Sequence, residues 1–167
     1  PIFIKPNNGG SSVATFLVRS EDEVEMAVRE GLKYDNEIII EEYINGEEIT
    51  SFVVNGEVFP TVKIKSKNSE FFDYASKYGE NGAEEEVVLL EEKLQEKINN
   101  ISKKVWDILG CNSYARIDMI IRDEVPYLLE VNTLPGMTTQ SLIPKSAKVR
   151  GLEFSDLLDK IIEYSLF

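Results

Sequence analysis

The sequence predicts an α+β fold in which an antiparallel sheet carries helices on one face. Three observations lead to this prediction: short apolar runs separated by turn residues, a strong hairpin signal at Asn55-Gly56, and three segments with helical periodicity. A break near Asn45-Gly46 is expected to separate a small N-terminal lobe, residues 1–45, from a larger lobe, residues 46–167. We find no internal repeat and no low-complexity tract.

The N-terminal lobe is expected to contain a small sheet and one helix. An apolar strand ends at Pro6, and a polar Gly-Ser loop follows it. Ser20 and Glu23 have the spacing of a capping box, which predicts that a helix begins there. The predicted elements are strands over Ile2–Lys5, Val13–Val18 and Glu37–Tyr43, and a helix from Ser20 to Leu32.

In the larger lobe, Asn55-Gly56 predicts a tight turn between two strands. Residues 66–86 show no periodicity, and a loop of that length in a compact domain is usually disordered or functional. The other predicted elements are strands over Ile49–Val54, Val58–Ile64, Tyr114–Ile121 and Tyr127–Val131, a helix over Glu91–Leu109 capped by Gly110, and a last helix from Ser155.

The composition excludes several classes of function. A net charge of −12 argues against nonspecific nucleic-acid binding, which requires a cationic surface. The absence of histidine excludes a serine–histidine triad and a histidine-ligated zinc site within this chain. No apolar run approaches the ~20 residues of a membrane span, and Cys111 is the only cysteine, so a reducing cytoplasm is expected. Because the chain starts at Pro1 on a strand-like run, we interpret it as part of a longer protein.

Two predicted strands near the C-terminal end bring carboxylates together. Side chains alternate along a strand, so Arg116 and Asp118 share one face, and Glu130 and Asn132 share one face of the next strand. A hairpin loop over residues 122–126 would pair Ile121 with Tyr127, Asp118 with Glu130, and Arg116 with Asn132, with ~5 Å between opposed residues.

This cluster has two interpretations. Two nearby carboxylates repel each other unless a positive charge lies between them. Arg116 could supply that charge in a salt-bridge cluster on the sheet surface. Alternatively, the oxygens of Asp118, Glu130 and Asn132 form a ligand set that Mg²⁺ accepts when it also binds waters and substrate phosphates. The spacing alone favours neither.

A longer string around the same residues resembles a known family. Tyr114-Ala115-Arg116-Ile117-Asp118, the run from Glu130 to Thr138 and Ser141-Leu142-Ile143-Pro144 closely resemble the C-terminal signature of D-alanine–D-alanine ligases, of the ATP-grasp superfamily. The resemblance implies that Asp118, Glu130 and Asn132 hold two Mg²⁺ ions, which Mn²⁺ could replace. It also implies that Arg116 and the backbone of Gly136 stabilise the tetrahedral intermediate, and that Ser141 and Leu142 bind the second D-alanine.

The nucleotide residues are implied by two further segments. Lys5 precedes the Gly-Ser loop, which alone is most simply a turn but is similar to the ligase's phosphate loop. There Lys5 would bind phosphate and Ser11 would orient the substrate. Glu41 to Glu48 could be a solvated acidic strand end. The resemblance instead implies that Glu41 binds the adenine amino group, that the backbone around Glu42 and Ile44 reads the base, and that Glu48 binds a ribose hydroxyl.

Within residues 66–86, the run from Phe72 to Tyr78 is similar to the family's lid segment. Lys77 would reach the γ-phosphate, and Tyr78 would join Ser11 at the substrate. The sequence departs from the family pattern at Phe72, at Ala75 and, in the Gly-Ser loop, at Ala14. These departures leave the phosphate and metal residues intact.

The resemblance implies a homodimeric cytoplasmic enzyme of peptidoglycan synthesis that joins two D-alanine molecules through an acyl phosphate, using ATP. Because the family's N-terminal domain is absent from these residues, this fragment is expected to be inactive alone. Rival interpretations are a module that only binds nucleotide and an ATP-grasp ligase for other acids and amines. The absence of histidine disfavours a D-lactate acceptor, whereas D-serine stays open.

Overall fold

The computed structural model describes residues 1–65, 84–88 and 90–166. The described residues form two compact units, the first over 1–45 and the second from Gly46 onward. The greater part of the predicted lid, with Lys77 and Tyr78, lies outside the described residues. Over the residues that are described, no helix has the length and apolarity that a membrane span requires.

The first unit is a small antiparallel sheet with one helix on it. Its strands are β1 (Ile2–Pro6), β2 (Phe16–Val18) and β3 (Ile38–Glu42), in the order β2-β1-β3, and helix α1 is Glu21–Gly31. Buried Ile4, Val18 and Ala27 form the contact between α1 and the sheet. The helix begins as predicted, but Glu23 accepts the backbone N–H of Arg19 at 2.7 Å, one residue before the expected partner.

The second unit contains a larger antiparallel sheet. Its described strands follow the order β7-β6-β4-β8-β9, with β5 paired to β4. The strands are β4 (Glu47–Val54), β5 (Glu57–Val58), β6 (Val62–Lys65), β7 (Glu84–Val87), β8 (Tyr114–Arg122) and β9 (Val125–Asn132), and the helices are α2 (Glu92–Ile108), α3 (Leu142–Val149) and α4 (Phe154–Ser165).

Helices cover both faces of this larger sheet. Ile98 and Trp106 of α2 pack with alternate residues of β4 and β8. On the other face, α3 and α4 pack against Phe52 and Val54 of β4. Because β4 is buried on both faces from Ile49 to Val54, its side chains do not alternate between buried and exposed, and even Thr50 and Ser51 are buried. The α+β class and the antiparallel sheet are confirmed. Helices were predicted on one face of the sheet, and the structure has them on both faces of the larger sheet.

The turn at Asn55-Gly56 is confirmed. Both residues have positive φ, 47° and 77°, which is the backbone of the two-residue turns that suit hairpins. The strand after it is shorter than predicted, because Pro60 separates β5 from β6. The split lets β6 pair with the opposite end of β4, with Lys63 opposite Ile49.

Two elements were not predicted. Strand β7 begins at Glu84, within the stretch 66–86 that we expected to be a loop, and it was missed because Glu-Glu-Glu-Val is a poor strand sequence. It pairs with β6, where Lys63 lies opposite Glu86, and opposite charges favour such a pair. Helix α3 contains Pro144, which normally ends a helix; here it stands in the first turn, where the missing N–H has no intrahelical partner to lose.

Candidate functional site

Three neighbouring strands of the larger sheet bring polar side chains into one row. Asp118 of β8 pairs with Thr50 of β4 on one side and with Glu130 of β9 on the other. Directly opposed residues in antiparallel strands point to the same face, so these three side chains lie side by side. The adjacent rows on this face are Phe52–Arg116–Asn132 and Glu48–Ile120–Tyr127.

The predicted pairing of Asp118 with Glu130 is present, although the hairpin that produces it differs from the expected one. Ile121 lies opposite Pro126 and not opposite Tyr127, because the turn consists of Asp123 and Glu124 alone. An irregularity between Asp118 and Met119 then shifts the register by one residue. The predicted loop was too long and the predicted strands lacked this irregularity, and the two errors cancel at Asp118. The short turn was missed because both of its residues have positive φ, 51° and 59°, which is uncommon for glutamate.

Arg116 holds the carboxylate of Asp118, which is only 7% exposed. Its Nε donates to Oδ1 at 2.9 Å, and its Nη2 donates to Oδ2 at 2.7 Å. From the neighbouring strand, Thr50 Oγ1 donates to Oδ1 at 2.6 Å. Arg116 Nη2 also lies 3.8 Å from Glu130 Oε1. The guanidinium therefore has the position of the positive charge that the two carboxylates require.

The chemistry of this donor set also fits a hard divalent cation. Asp118, Glu130 and Asn132 present carboxylate and amide oxygens to one face, and Asn132 Oδ1 is held by the backbone N–H of Leu134 at 2.9 Å. Among the described residues there is no group of three Asp, Glu, Cys or His side chains that could hold a metal. Two carboxylates and an amide are a smaller set, which Mg²⁺ accepts because it completes its shell with waters and substrate phosphates. A metal and Arg116 would compete for the oxygens of Asp118.

The segment before α3 folds back on itself around Ser141. The Oγ of Ser141 accepts the backbone N–H of Thr138 at 2.9 Å and lies 3.0 Å from the Thr138 hydroxyl. A Cβ added at Gly136 would lie 3.5 Å from the same Oγ. Leu142, the first residue of α3, packs against the buried cluster on this face. The predicted substrate residues Gly136, Ser141 and Leu142 are thus close neighbours.

In the first unit, Lys5 and Glu41 form an ion pair. Lys5 Nζ lies 2.8 Å from Glu41 Oε2, with side-chain exposures of 27% and 37%. Both residues lie on the face of the small sheet opposite α1, since they alternate with the buried Ile4 and its partner Ile40. The structure therefore brings together two residues that were predicted to bind the nucleotide, and here they bind each other.

The Gly-Ser loop is attached at its base to the connection between α1 and β3. Asn8 donates both its backbone N–H and its Nδ2 to Asp35 Oδ2, at 2.5 and 2.9 Å. Asn7 donates its Nδ2 to Glu37 Oε2 at 2.9 Å. Beyond this attachment, exposed Ser11 has a φ of 53°. Sequence reasoning missed Asp35; its position in an Asp-Asn turn was the signal that could have indicated it.

This attachment predicts a pH dependence. The backbone N–H of Asn8 holds the pKa of Asp35 below its usual value, against a smaller opposing effect of burial. A lowered folded pKa contributes stability above the ordinary carboxyl pKa, and the contribution disappears as pH falls through the lowered value. Asp35→Asn should therefore melt below wild type at pH 7, and the difference should shrink below about pH 4. Thermal melts at pH 7 and below about pH 4 test this, with exposed Asp159→Asn as the control. A melting-temperature difference between Asp35→Asn and wild type that does not change with pH would contradict it.

The remaining predicted residues are divided between the units. Glu42 and Ile44 belong to the first unit, and Glu48 belongs to the second. Glu42 is exposed, whereas Ile44 and Glu48 are half-buried. Glu48 lies on the same face as Asp118, in the row that ends at Tyr127.

The chain is similar to known proteins over nearly its whole length. Residues 1–163 match the family described as D-ala D-ala ligase C-terminus. The chain is 54% identical to D-alanine–D-alanine ligase B of Clostridium perfringens, over 99% of this chain and 55% of that protein. It thus spans about half the length of the curated relatives it matches.

Two solved structures share the fold. A D-alanine–D-alanine ligase from Bacillus anthracis, complexed with ATP, is 40% identical with a TM-score of 0.86, covering 99% of this chain and 52% of that one. The VanG D-Ala:D-Ser ligase from Enterococcus faecalis is 32% identical, also with a TM-score of 0.86, covering 98% and 49%. The chain belongs to the D-alanine–D-alanine ligase family and corresponds to its C-terminal part.

Proposed function

We propose that the full-length protein is a cytoplasmic, homodimeric ligase that uses ATP to join two D-alanine molecules for peptidoglycan. One carboxylate is phosphorylated by ATP, and the amine of the second D-alanine displaces the phosphate. The observation that carries the proposal is the row of Asp118 and Glu130 with Arg116 between the carboxylates. It lies within a chain whose family is established.

At the phosphate end, Asp118, Glu130 and Asn132 would hold two Mg²⁺ ions. When bound, Mg²⁺ neutralises the phosphate oxygens and orients them for in-line transfer. Arg116 would then exchange its contacts with Asp118 for oxygens of the transferred group. Its planar array of donors suits that task, because phosphate and carboxylate present similar oxygen pairs.

At the nucleotide end, the ion pair between Lys5 and Glu41 would break, so that Lys5 binds a phosphate and Glu41 binds the adenine amino group. Exposed ion pairs contribute only ~0–1 kcal/mol, so a phosphate and an adenine amino group can replace the partners at little cost. Glu42 and Ile44 would read the base through their backbone, and Glu48 would bind the ribose. Lys77 would bind the γ-phosphate, and Tyr78 would join Ser11 at the substrate; Lys77 and Tyr78 lie outside the described residues. Closure of the lid would exclude water, which otherwise hydrolyses an acyl phosphate.

At the acceptor end, the segment around Ser141 supplies small and polar groups. Its hydroxyl is oriented by Thr138, and the adjacent Gly136 leaves the backbone accessible. We assign Ser141 and Leu142 to the second D-alanine and the Gly136 backbone N–H to the oxyanion that forms during attack. Preorganised donors of this kind stabilise such charge more than they stabilise the substrate.

The direct test is a coupled measurement of phosphate and dipeptide. The full-length protein with ATP, Mg²⁺ and D-alanine is expected to release phosphate and form D-alanyl-D-alanine in equal amounts. D-serine and D-lactate as acceptors provide the comparison, and D-alanine should give the most product. Phosphate release no faster than that without D-alanine would refute the proposal, and preferential use of D-serine would reassign the acceptor.

A second candidate function applies to the 167 residues by themselves. They span 55% of the compared ligase, so the isolated chain would lack groups that the other part of such an enzyme supplies. We therefore expect the isolated chain to bind ATP without turnover. Dipeptide formation by the purified chain would contradict this.

A further inference from the structure

Thr50 is a buried hydroxyl residue bonded to the candidate metal ligand. It is 0% exposed and lies in β4, in the centre of the larger sheet. Its Oγ1 lies 2.6 Å from Asp118 Oδ1 and 3.4 Å from the carbonyl oxygen of Ile117. A hydroxyl has one hydrogen, and the nearer, charged acceptor takes it, because hydrogen bonds to carboxylates are short and strong.

The two neighbours of the Asp118 carboxylate differ in mobility. Arg116 reaches it with a long side chain that stays 20% exposed. Thr50 reaches it with a short β-branched side chain, which has few rotamers and is packed in a central strand. If Arg116 turns toward the transferred phosphoryl group, Thr50 remains bonded to Oδ1.

We propose that Thr50 is a positioning residue for the metal site: it holds Oδ1 of Asp118, so that the carboxylate presents Oδ2 to the divalent ion. The inference rests on the proposed function for its metal. Hydrogen-bond partners of metal ligands fix the ligand's orientation, and their loss typically weakens metal affinity about 10–100-fold. Thr50 lies 68 residues from Asp118 in sequence, and no motif pointed to it.

The residue just before β6 offers a matched control. Thr61 is also 0% exposed, and its hydroxyl bonds to the side-chain amide of Gln95 in α2, at 3.0 Å. Thr61 and Gln95 belong to the packing of α2 on the sheet and not to the row of Asp118. Thr61→Val therefore makes the same chemical change as Thr50→Val, and it removes a part-buried hydrogen bond to a neutral amide instead of one to the metal-site carboxylate.

The experiment measures Mn²⁺ binding to the full-length protein with ADP, by the loss of the electron paramagnetic resonance signal of free Mn²⁺. Thr50→Val should weaken Mn²⁺ binding by about 10-fold or more, whereas Thr61→Val should bind like wild type. Thr50→Ser and Thr50→Ala form a second pair that differs only in the hydroxyl. Thr50→Ser should bind Mn²⁺ more tightly than Thr50→Ala. In Thr50→Val, the KM for Mg²⁺ should rise more than the KM for D-alanine.

Several results would overturn the proposal: wild-type Mn²⁺ affinity in Thr50→Val, equal losses in Thr50→Val and Thr61→Val, equal binding by the Ser and Ala variants, or no Mn²⁺ binding by the wild type. Failure of the proposed function gives a different pattern. If the wild type binds Mn²⁺ and Thr50→Val weakens that binding, but D-alanine causes no phosphate release, then the role of Thr50 at the metal site stands and the proposed ligase activity is refuted.

Discussion

Asp118→Asn in the full-length protein is expected to lower the rate of D-alanine-dependent phosphate release by roughly 10²–10³-fold, because a charged metal ligand contributes several kcal/mol. Asparagine keeps the shape of the side chain but removes the charge that Arg116 and Thr50 now contact. Steady-state phosphate release at saturating ATP, with Mg²⁺ varied, measures the effect.

Two controls separate catalysis from folding in this variant. Asp107→Asn makes the same change on the exposed surface of α2, where the pair with Lys103 spans 3.8 Å, and its activity should stay near wild type. Thermal melts should show a loss of about 1–2 kcal/mol for Asp118→Asn, below the roughly 3–5 kcal/mol of a fully buried pair, since Arg116 keeps solvent contact. Activity within tenfold of wild type would remove Asp118 from the metal site.

Gly46→Ala is expected to be the most destabilising glycine replacement among the described residues. A Cβ at position 46 would lie 2.3 Å from the carbonyl oxygen of Ile121 and 2.6 Å from Ile120 Cγ2. A backbone atom cannot move aside as the end of a flexible side chain can, so the start of β4 would separate from β8. Overpacking of this kind costs about 1–3 kcal/mol, or roughly 2–4 °C of melting temperature per kcal/mol for a chain of this size.

Gly10→Ala is the matched comparison for this prediction. No described heavy atom lies within 4 Å of a Cβ added there, so its melting temperature should differ little from wild type. Differential scanning calorimetry on both variants decides between them. Equal melting temperatures would show that the approach of Gly46 to Ile121 relaxes at no cost.

The parts of the site that could be predicted are those that depend on neighbours in sequence. Asp118 and Glu130 lie on strands joined by a tight turn, so alternation predicted that they lie close together, although their exact register came from an irregularity that the sequence did not indicate. Thr50 could not be found this way, since its contact with Asp118 exists only because β4 lies beside β8 in the sheet. Strand order depends on pairing between segments that are far apart in sequence, and periodicity within one segment contains no information about it.

The same limit explains the errors in the fold. Periodicity predicted α2 correctly because the helix has many turns with one apolar face and is followed, after Leu109, by Gly110 with its φ of 61°. Strand β7 lacks such a signal and is stabilised by its partner β6, so its existence depends on tertiary context. In the hairpin, Asp123 and Glu124 adopt positive φ despite their side chains, and the irregularity in β9 then restores the register.

The place of Arg116 between two carboxylates has a consequence for folding in the absence of a metal ion. In some small metal-binding domains the ligands come together only when the ion is bound, so that folding depends on the ion. Here the guanidinium neutralises part of that repulsion from within the chain. We therefore expect this sheet to fold without a divalent ion, and an ion bound as proposed would replace contacts that Arg116 makes with Asp118.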